Sequence, residues 1–291
     1  MSLARDLVLL VRPRIGLLAA AGTLAGSVAC APAALPGLAA AGTGAWLLSC
    51  GCSALNQVQE RAEDGRMERT RGRPLPAGRL APGTALALAA ACLGLAALAL
   101  AATPGGAAAV ALVPAIVLLY NGLYTPLKKR TSLAMLVGGL AGACPPLLGF
   151  AAAGGSILDP RALLLAGIFY AWQVPHFWLF ARIHRADYAA AGFHAPQGRM
   201  GQGREAGTLL VWLLGYGALL LLVPAFGLVS AAPLKWLVTA LALALLALAR
   251  PISRPVARSA GGRERLGFAL VNASLALLLV FLAADALRLA V

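Results

Sequence analysis

Charge is scarce in this sequence. Asp, Glu, Lys and Arg make up 12% of its 291 residues, about half the share found in soluble domains, and mean hydropathy is +0.83. An ordinary soluble fold is excluded, and the chain falls in the membrane class. Acids are rarer still, ten against 24 Lys and Arg. Metal or redox CxxC spacing is missing: Cys50-Gly51-Cys52 is too tight for it. All five cysteines, Cys30, Cys50, Cys52, Cys92 and Cys144, lie in apolar runs, where free buried thiols are the ordinary case. No cleavable leader or transit segment is expected, because Arg12-Pro13-Arg14 runs directly into an apolar segment that the topology requires.

What is abundant is apolar length. Crossing a hydrocarbon core of about 30 Å takes roughly 20 residues of helix. Nine runs qualify, centred near Gly22, Ala45, Gly94, Pro114, Gly142, Phe169, Tyr216, Ala240 and Leu275, and predict an all-α polytopic membrane protein. Nine spans put all of the 24 Lys and Arg residues on one side except Arg161, Lys235 and Arg288. That asymmetry predicts a cytoplasmic N-terminus and an outside C-terminus. It also assigns the basic charge, Arg199 and Arg258 included, to topology and contact with anionic membrane lipid rather than to nucleic acid. The polar length collects in residues 56–82 and 181–206, after spans two and six. This spacing suggests two related four-helix units plus a ninth helix within a single domain, residues 1–291, although no residue-level repeat supports it. Gly138-Gly139-Leu140-Ala141-Gly142 is expected to let helices approach closely in lipid.

Four of the ten acids, Glu60, Glu63, Asp64 and Glu68, sit in one stretch, NQVQERAEDGRMERTRGRP at 56–74. Asn56, Glu60 and Asp64 stand at i, i+4 and i+8. On a helix they drift by about 40° per step and line one face over about 12 Å. An amide oxygen and two carboxylates in a row suit Mg²⁺, which takes one or two carboxylates, waters and substrate phosphate oxygens. The neighbouring arginines, with Lys128 and Lys129, are placed to hold the remaining phosphate charge. The competing reading is a solvated helix end on which Arg61 and Arg66 pair with Glu60 and Asp64. Asp187, the only acid between Asp159 and Glu205, follows a span containing Trp172-Gln173-Val174-Pro175-His176-Phe177-Trp178. Polar residues within a span mark functional sites, and Asp187 would place acids on both sides of one diphosphate.

These residues resemble the UbiA-type intramembrane prenyltransferases. The likeness rests on Asn56-xxx-Glu60-xxx-Asp64, Met67-Glu68-Arg69-Thr70-Arg71-Gly72-Arg73-Pro74-Leu75, Tyr124-Thr125 with Leu127-Lys128-Lys129-Arg130-Thr131, and the run from Gly138 through Pro145-Pro146 to Gly149. Trp172-Gln173-Val174-Pro175-His176-Phe177 and Asp187-Tyr188-Ala189-Ala190-Ala191-Gly192 extend it, and the WQVPHF and Pro-Pro elements look like the heme-farnesylating branch. It covers residues 10 to about 195, and the final three spans match only in hydropathy. Glu60 and Ala62 stand where the family usually has Asp. Phe193-His194-Ala195-Pro196 replaces a Pro-Met-Leu-Pro-like run, and one residue fewer separates Tyr124 from Lys128.

The resemblance implies transfer of a farnesyl group from farnesyl diphosphate to a vinyl group of heme b, with water, giving heme O for heme–copper oxidases. It implies a bacterial inner membrane location and handover of product to a heme A synthase or terminal oxidase. Asn56, Glu60, Asp64 and Asp187 would serve Mg²⁺ and diphosphate, with Arg69, Arg73, Lys128 and Lys129 as phosphate contacts. Tyr120, Tyr124, Tyr170 and Trp172 are candidates for an apolar wall, while Glu63 and Glu68 read as solvated partners of arginines. His176 has four open readings: contact with heme iron, steering of the porphyrin, handling of a water proton, or a plain inter-helix hydrogen bond. His184 and His194 read as solvated. A UbiA-type enzyme with an aromatic or quinone-precursor acceptor is the alternative. A transporter would carry ionisable groups near mid-bilayer, not crowded at one face.

Overall fold

A computed structural model describes residues 2–31, 37–194, 201–254 and 261–289. Arg199, Arg258, Ala195 and Pro196 lie outside the described residues. Nine helices among those described are long and apolar enough to cross a membrane, and each contains one of the expected centres. The spans are α2 (Pro13–Cys30), α3 (Leu38–Gln59), α5 (Pro82–Ala101), a fourth beginning with α6 (Gly106–Val117), α8 (Ala134–Ala152), α9 (Pro160–Ile183), α11 (Gln202–Leu222), α12 (Ala232–Ser253) and α13 (Gly261–Leu289). Proline opens α2, α5, α9 and α12, where its missing N–H costs no helical bond. In lipid every backbone polar group needs an internal partner. At the ends this falls to side chains: Asp159 accepts from Arg161 N at 2.8 Å, and Asp285 of α13 accepts from Ser230 N and Ala231 N at the start of α12.

Each span packs on the next, and α13 returns to α2, so the bundle closes on itself, with α2 and α8 also crossing inside it. At that crossing the backbones touch. A Cβ on Gly26 would lie 2.1 Å from the Pro146 carbonyl oxygen, and one on Gly149 would lie 1.9 Å from that of Thr23. Ser27 Oγ donates to Gly149 O across the contact at 3.0 Å.

One end of the bundle carries the short helices α1 (Leu3–Val11), α4 (Arg61–Arg66) and α10 (Arg185–Ala191) and most of the basic residues. There α1 is fastened twice. Gln57 Nε2 donates to the Leu9 and Leu10 carbonyls, and Asp6 takes a bidentate Arg79 whose Nη2 also reaches Gly72 O. The segment between α4 and α5 is thereby tied to the first helix.

The fourth span is not a uniform α-helix. Pro114 removes a backbone bond within α6, and Leu118–Tyr124 forms a π-helical turn before α7 (Thr125–Leu127). Such turns insert one residue into the helical repeat and gather at functional sites. Here the turn brings Asn121 to α3: Asn121 Nδ2 donates to Cys52 O and Gln59 Oε1, and Gln59 Nε2 donates back to Asn121 O.

Candidate active site

The acidic ladder survives a break in its helix. Glu60 (φ −105°, ψ 13°) separates α3 from α4, yet Glu60 N bonds Asn56 O and Asp64 N bonds Glu60 O, so the three side chains keep one face. That face turns inward: Asn56, Glu60 and Asp64 are 3%, 3% and 1% exposed. Arg61 and Arg66 point to solvent, which overturns the solvated-pair reading.

The partners come from elsewhere. Lys128 Nζ sits 2.8 Å from Glu60 Oε1, with its hydrogen bond directed at Oε2. Arg73 Nη1 reaches Asp64 Oδ2 at 2.6 Å. Glu60 Oε1 and Asp64 Oδ1 are left buried without a hydrogen bond. The Asn56 amide is oriented by elimination: Thr125 Oγ1 donates to Tyr120 O, so it accepts from Asn56 Nδ2 at 3.1 Å, and the Asn56 oxygen is released toward the ladder. Three oxygen donors in a row with unfilled lone pairs fit a hard cation. No three Asp, Glu, His or Cys side chains among the described residues converge closely enough to hold a metal by themselves. A cation here needs oxygens from an anionic substrate as well.

The ladder opens onto a cavity of about 500 Å³. Arg12, Arg69 and Arg73 stand at its mouth. Burial, then Arg73 and Arg12, push the Arg69 guanidinium below the usual arginine value, and burial likewise lowers Arg12. They remain charged at neutral pH, so like charges are gathered where an anion would relieve them. Burial works against the Lys128 ammonium, but Tyr124 and Glu60 beside it more than offset this and raise its pKa. Arg12 is the only non-glycine residue at positive φ among those described (φ 51°), a strained geometry of the sort that collects at functional sites.

Below the mouth the walls are aromatic and aliphatic, including Tyr120, Tyr124, Trp172 and Phe177. The Gly138–Gly142 run explains part of this shape. A Cβ on Gly138 would meet the Tyr124 ring at 2.7 Å, one on Gly139 the Tyr170 ring at 2.9 Å, and one on Gly142 the Gln173 Oε1 at 1.7 Å. These glycines admit large side chains as well as close helices. Thr23, Ser49 and Gln173 line the cavity at matching depths on three spans, about 15 Å from the basic end at about 1.5 Å per residue, and the buried Thr23 hydroxyl has no partner. Gly142→Ala is expected to push the Gln173 amide into the cavity with little loss of stability, since the obstructing atom ends a flexible side chain. Its signature is weaker binding of a bulky apolar ligand in the cavity with unchanged binding of inorganic diphosphate at the mouth.

Several residues stand elsewhere than expected. Asp187 accepts from Glu68 N at 2.9 Å and lies 3.9 Å from Arg69 Nε and from His184 Nδ1. It anchors the 67–73 segment, and its neighbour Tyr188 faces the cavity instead. Lys129 turns outward to Glu63 at 2.8 Å, so Glu63 pairs with a lysine rather than an arginine. Glu68 is exposed near Arg71. Tyr170 packs against Trp212. His184 and His194 are half-buried rather than solvated, and His184 packs on Phe180. Sequence reasoning missed Phe268 and Asn272 of α13. His176 Nδ1 lies 2.9 Å from Asn272 Oδ1, and Phe268 packs 4.9 Å from the imidazole.

Residues 17–273 match the UbiA prenyltransferase family. The chain belongs to that family. Among its UbiA relatives, the protoheme IX farnesyltransferase of Geobacter sulfurreducens is 45% identical over 86% of this chain and 91% of its own. That of Oleidesulfovibrio alaskensis is 38% identical over 96% and 95%. A UbiA homologue from Archaeoglobus fulgidus, solved bound to GPP and Mg²⁺, superposes with a TM-score of 0.70 at 14% identity, covering 97% of this chain and 99% of that one. The helical membrane bundle is the UbiA fold.

Proposed function

We propose that this UbiA protein is a single intramembrane prenyltransferase domain that transfers farnesyl from farnesyl diphosphate to a vinyl group of heme b. Identity of 45% across most of its length to a protoheme IX farnesyltransferase carries this reading. In the reaction the bond from farnesyl C1 to the diphosphate breaks, its electrons leaving with the diphosphate. The terminal vinyl carbon of heme bonds to C1, and water adds to the other vinyl carbon and loses a proton, giving the hydroxyethylfarnesyl group of heme O.

The ladder residues Asn56, Glu60 and Asp64 would hold Mg²⁺ together with the diphosphate, and a cation bound there would supply charge neutralisation for the leaving diphosphate. Arg69, Arg73 and Lys128 supply further positive charge in a site sheltered from bulk water, and Lys129 adds to the positive potential just outside. The carboxylate of Asp187 keeps the segment bearing Arg69 in place, and its direct ligation is tested below. Tyr124 and Trp172 form part of the wall that excludes water from the allylic cation, while Thr23, Ser49 and Gln173 offer the few polar positions where one water can be retained. The basic end faces the cytoplasm of a bacterial inner membrane, following the charge asymmetry, and a heme A synthase or terminal oxidase receives the product.

The deciding experiment incubates purified protein with heme b, farnesyl diphosphate and Mg²⁺ and identifies the product by mass. Farnesylated, hydrated heme is expected. Prenylation of a phenolic acceptor with heme untouched would reverse the assignment. Chelation with EDTA is expected to stop turnover, and added Mg²⁺ to restore it.

A further inference from the structure

We infer that Asn272 fixes the tautomer of His176 so that its Nε2 ligates the iron of the heme acceptor. The inference rests on the heme reading above and deepens it by locating the porphyrin.

Asn272 Nδ2 donates to Phe268 O at 2.6 Å. A carbonyl can only accept, so the amide nitrogen must face Phe268 and the amide oxygen must face His176 Nδ1, 2.9 Å away. Two acceptors cannot bond each other, so Nδ1 carries the hydrogen. In the neutral imidazole Nε2 is then a bare lone pair. No protein group bonds Nε2 among the described residues, and His176 lines the cavity. An imidazole that donates Nδ1–H to an oxygen while Nε2 is free is the arrangement found in metal-ligating histidines.

The register that produces this pair is fixed one turn away. Trp172 Nε1 donates to Val271 O at 3.0 Å, which sets α9 against α13 and brings Asn272 to His176. The surroundings suit a porphyrin face more than a reactive water: the rings of Trp172, Phe177 and Phe268 lie 4.7, 5.6 and 4.9 Å from the imidazole. His176 also lies about 10 Å from the basic end of α9 at about 1.5 Å per residue. A ring held there sits beneath the diphosphate ladder. Asn272 is a positioning residue, acting through His176.

The test titrates purified protein with heme b in the absence of farnesyl diphosphate and records the absorption and resonance Raman signatures of iron–imidazole bonding. Wild type is expected to show them, His176→Gly to lose them, and added imidazole to restore them in that variant. Asn272→Leu is expected to weaken heme binding about 10- to 100-fold and to shift the iron–imidazole stretch, leaving the KM for farnesyl diphosphate unchanged. Asn272→Asp, which keeps the acceptor, is expected to restore binding. A heme spectrum indifferent to His176→Gly overturns the inference, as does an unaltered iron–imidazole stretch in Asn272→Leu. Farnesylated heme formed by a protein whose spectrum ignores His176→Gly sinks the ligation and leaves the activity. Imidazole-ligated heme with no farnesylated product sinks the activity and leaves the ligation.

Discussion

Asp64→Asn is expected to lower turnover by about 10²-fold or more while the protein stays folded in the membrane. Asp64 is the deepest member of the ladder by exposure, at 1%. Its Oδ2 is taken by Arg73, and its Oδ1 has no partner. Asparagine keeps the shape and one acceptor for Arg73 but removes the charge that a cation and its diphosphate require. The fold survives because Arg73 is 14% exposed and can reach water, so no cation is stranded in a dry interior. Turnover of Asp64→Asn near the wild-type rate, by product mass in membranes, would sink the ladder assignment. Asp187 needs a paired test, since its carboxylate holds Glu68 N. Asp187→Ala is expected to abolish turnover, while Asp187→Asn still offers an oxygen to that N–H. Loss in both variants assigns the negative charge to the diphosphate site; recovery in Asn assigns only the anchoring of Arg69.

A large loss of stability is expected at Gly149. An added methyl would lie 1.9 Å from the Thr23 carbonyl and 2.7 Å from Ser27 N, and neither belongs to a side chain that can swing aside. Alanine must therefore separate α2 from α8 or bend one of them, at about 3 kcal/mol or more. Two further losses accompany the separation. The Ser27 to Gly149 hydrogen bond breaks, and α2 shifts with Thr23 on the cavity wall and Arg12 at its head. Gly94→Ala makes the control. Gly94 is exposed on α5 and nothing lies within 4 Å of an added Cβ, so there alanine is expected to stabilise the helix by up to about 1 kcal/mol. Thermal unfolding in detergent should place the two variants on opposite sides of wild type. If Gly149→Ala melts with or above wild type, the backbones do not touch as described.

The spans were legible because a bilayer demands long apolar runs, and a residue such as Gly142 or Leu275 at the centre of one needs no tertiary knowledge. The ladder was legible for a similar reason: Asn56, Glu60 and Asp64 follow helical spacing whether or not the helix bends at Glu60. What escaped depends on who faces whom. That Lys128 and Arg73, not Arg61 and Arg66, neutralise the ladder is decided by the closing of the bundle. Asp187 has the right composition for a ligand, but an unpaired backbone N–H at Glu68 captures it. Asn272 left a signal, an amide within an apolar run, yet the Ala- and Leu-rich pattern of the last span gave no means of pairing it with His176. Gly138, Gly139 and Gly142 suggested helix contact; the room they leave is filled largely by Tyr124, Tyr170 and Gln173.

The π-helical turn at Leu118–Tyr124 holds one spare residue in the fourth span. Its wider winding absorbs that residue locally, so the helix on either side keeps its faces, with Thr125 at Asn56 and Lys128 at Glu60. Deleting one residue there, for instance Gly122, should therefore smooth the helix and cost the Asn121 contacts to Cys52 and Gln59 while leaving Thr125 and Lys128 near their partners. Across relatives, a one-residue gap should be easier to tolerate inside this turn than in a regular stretch of a span, where it would rotate everything downstream by about 100°.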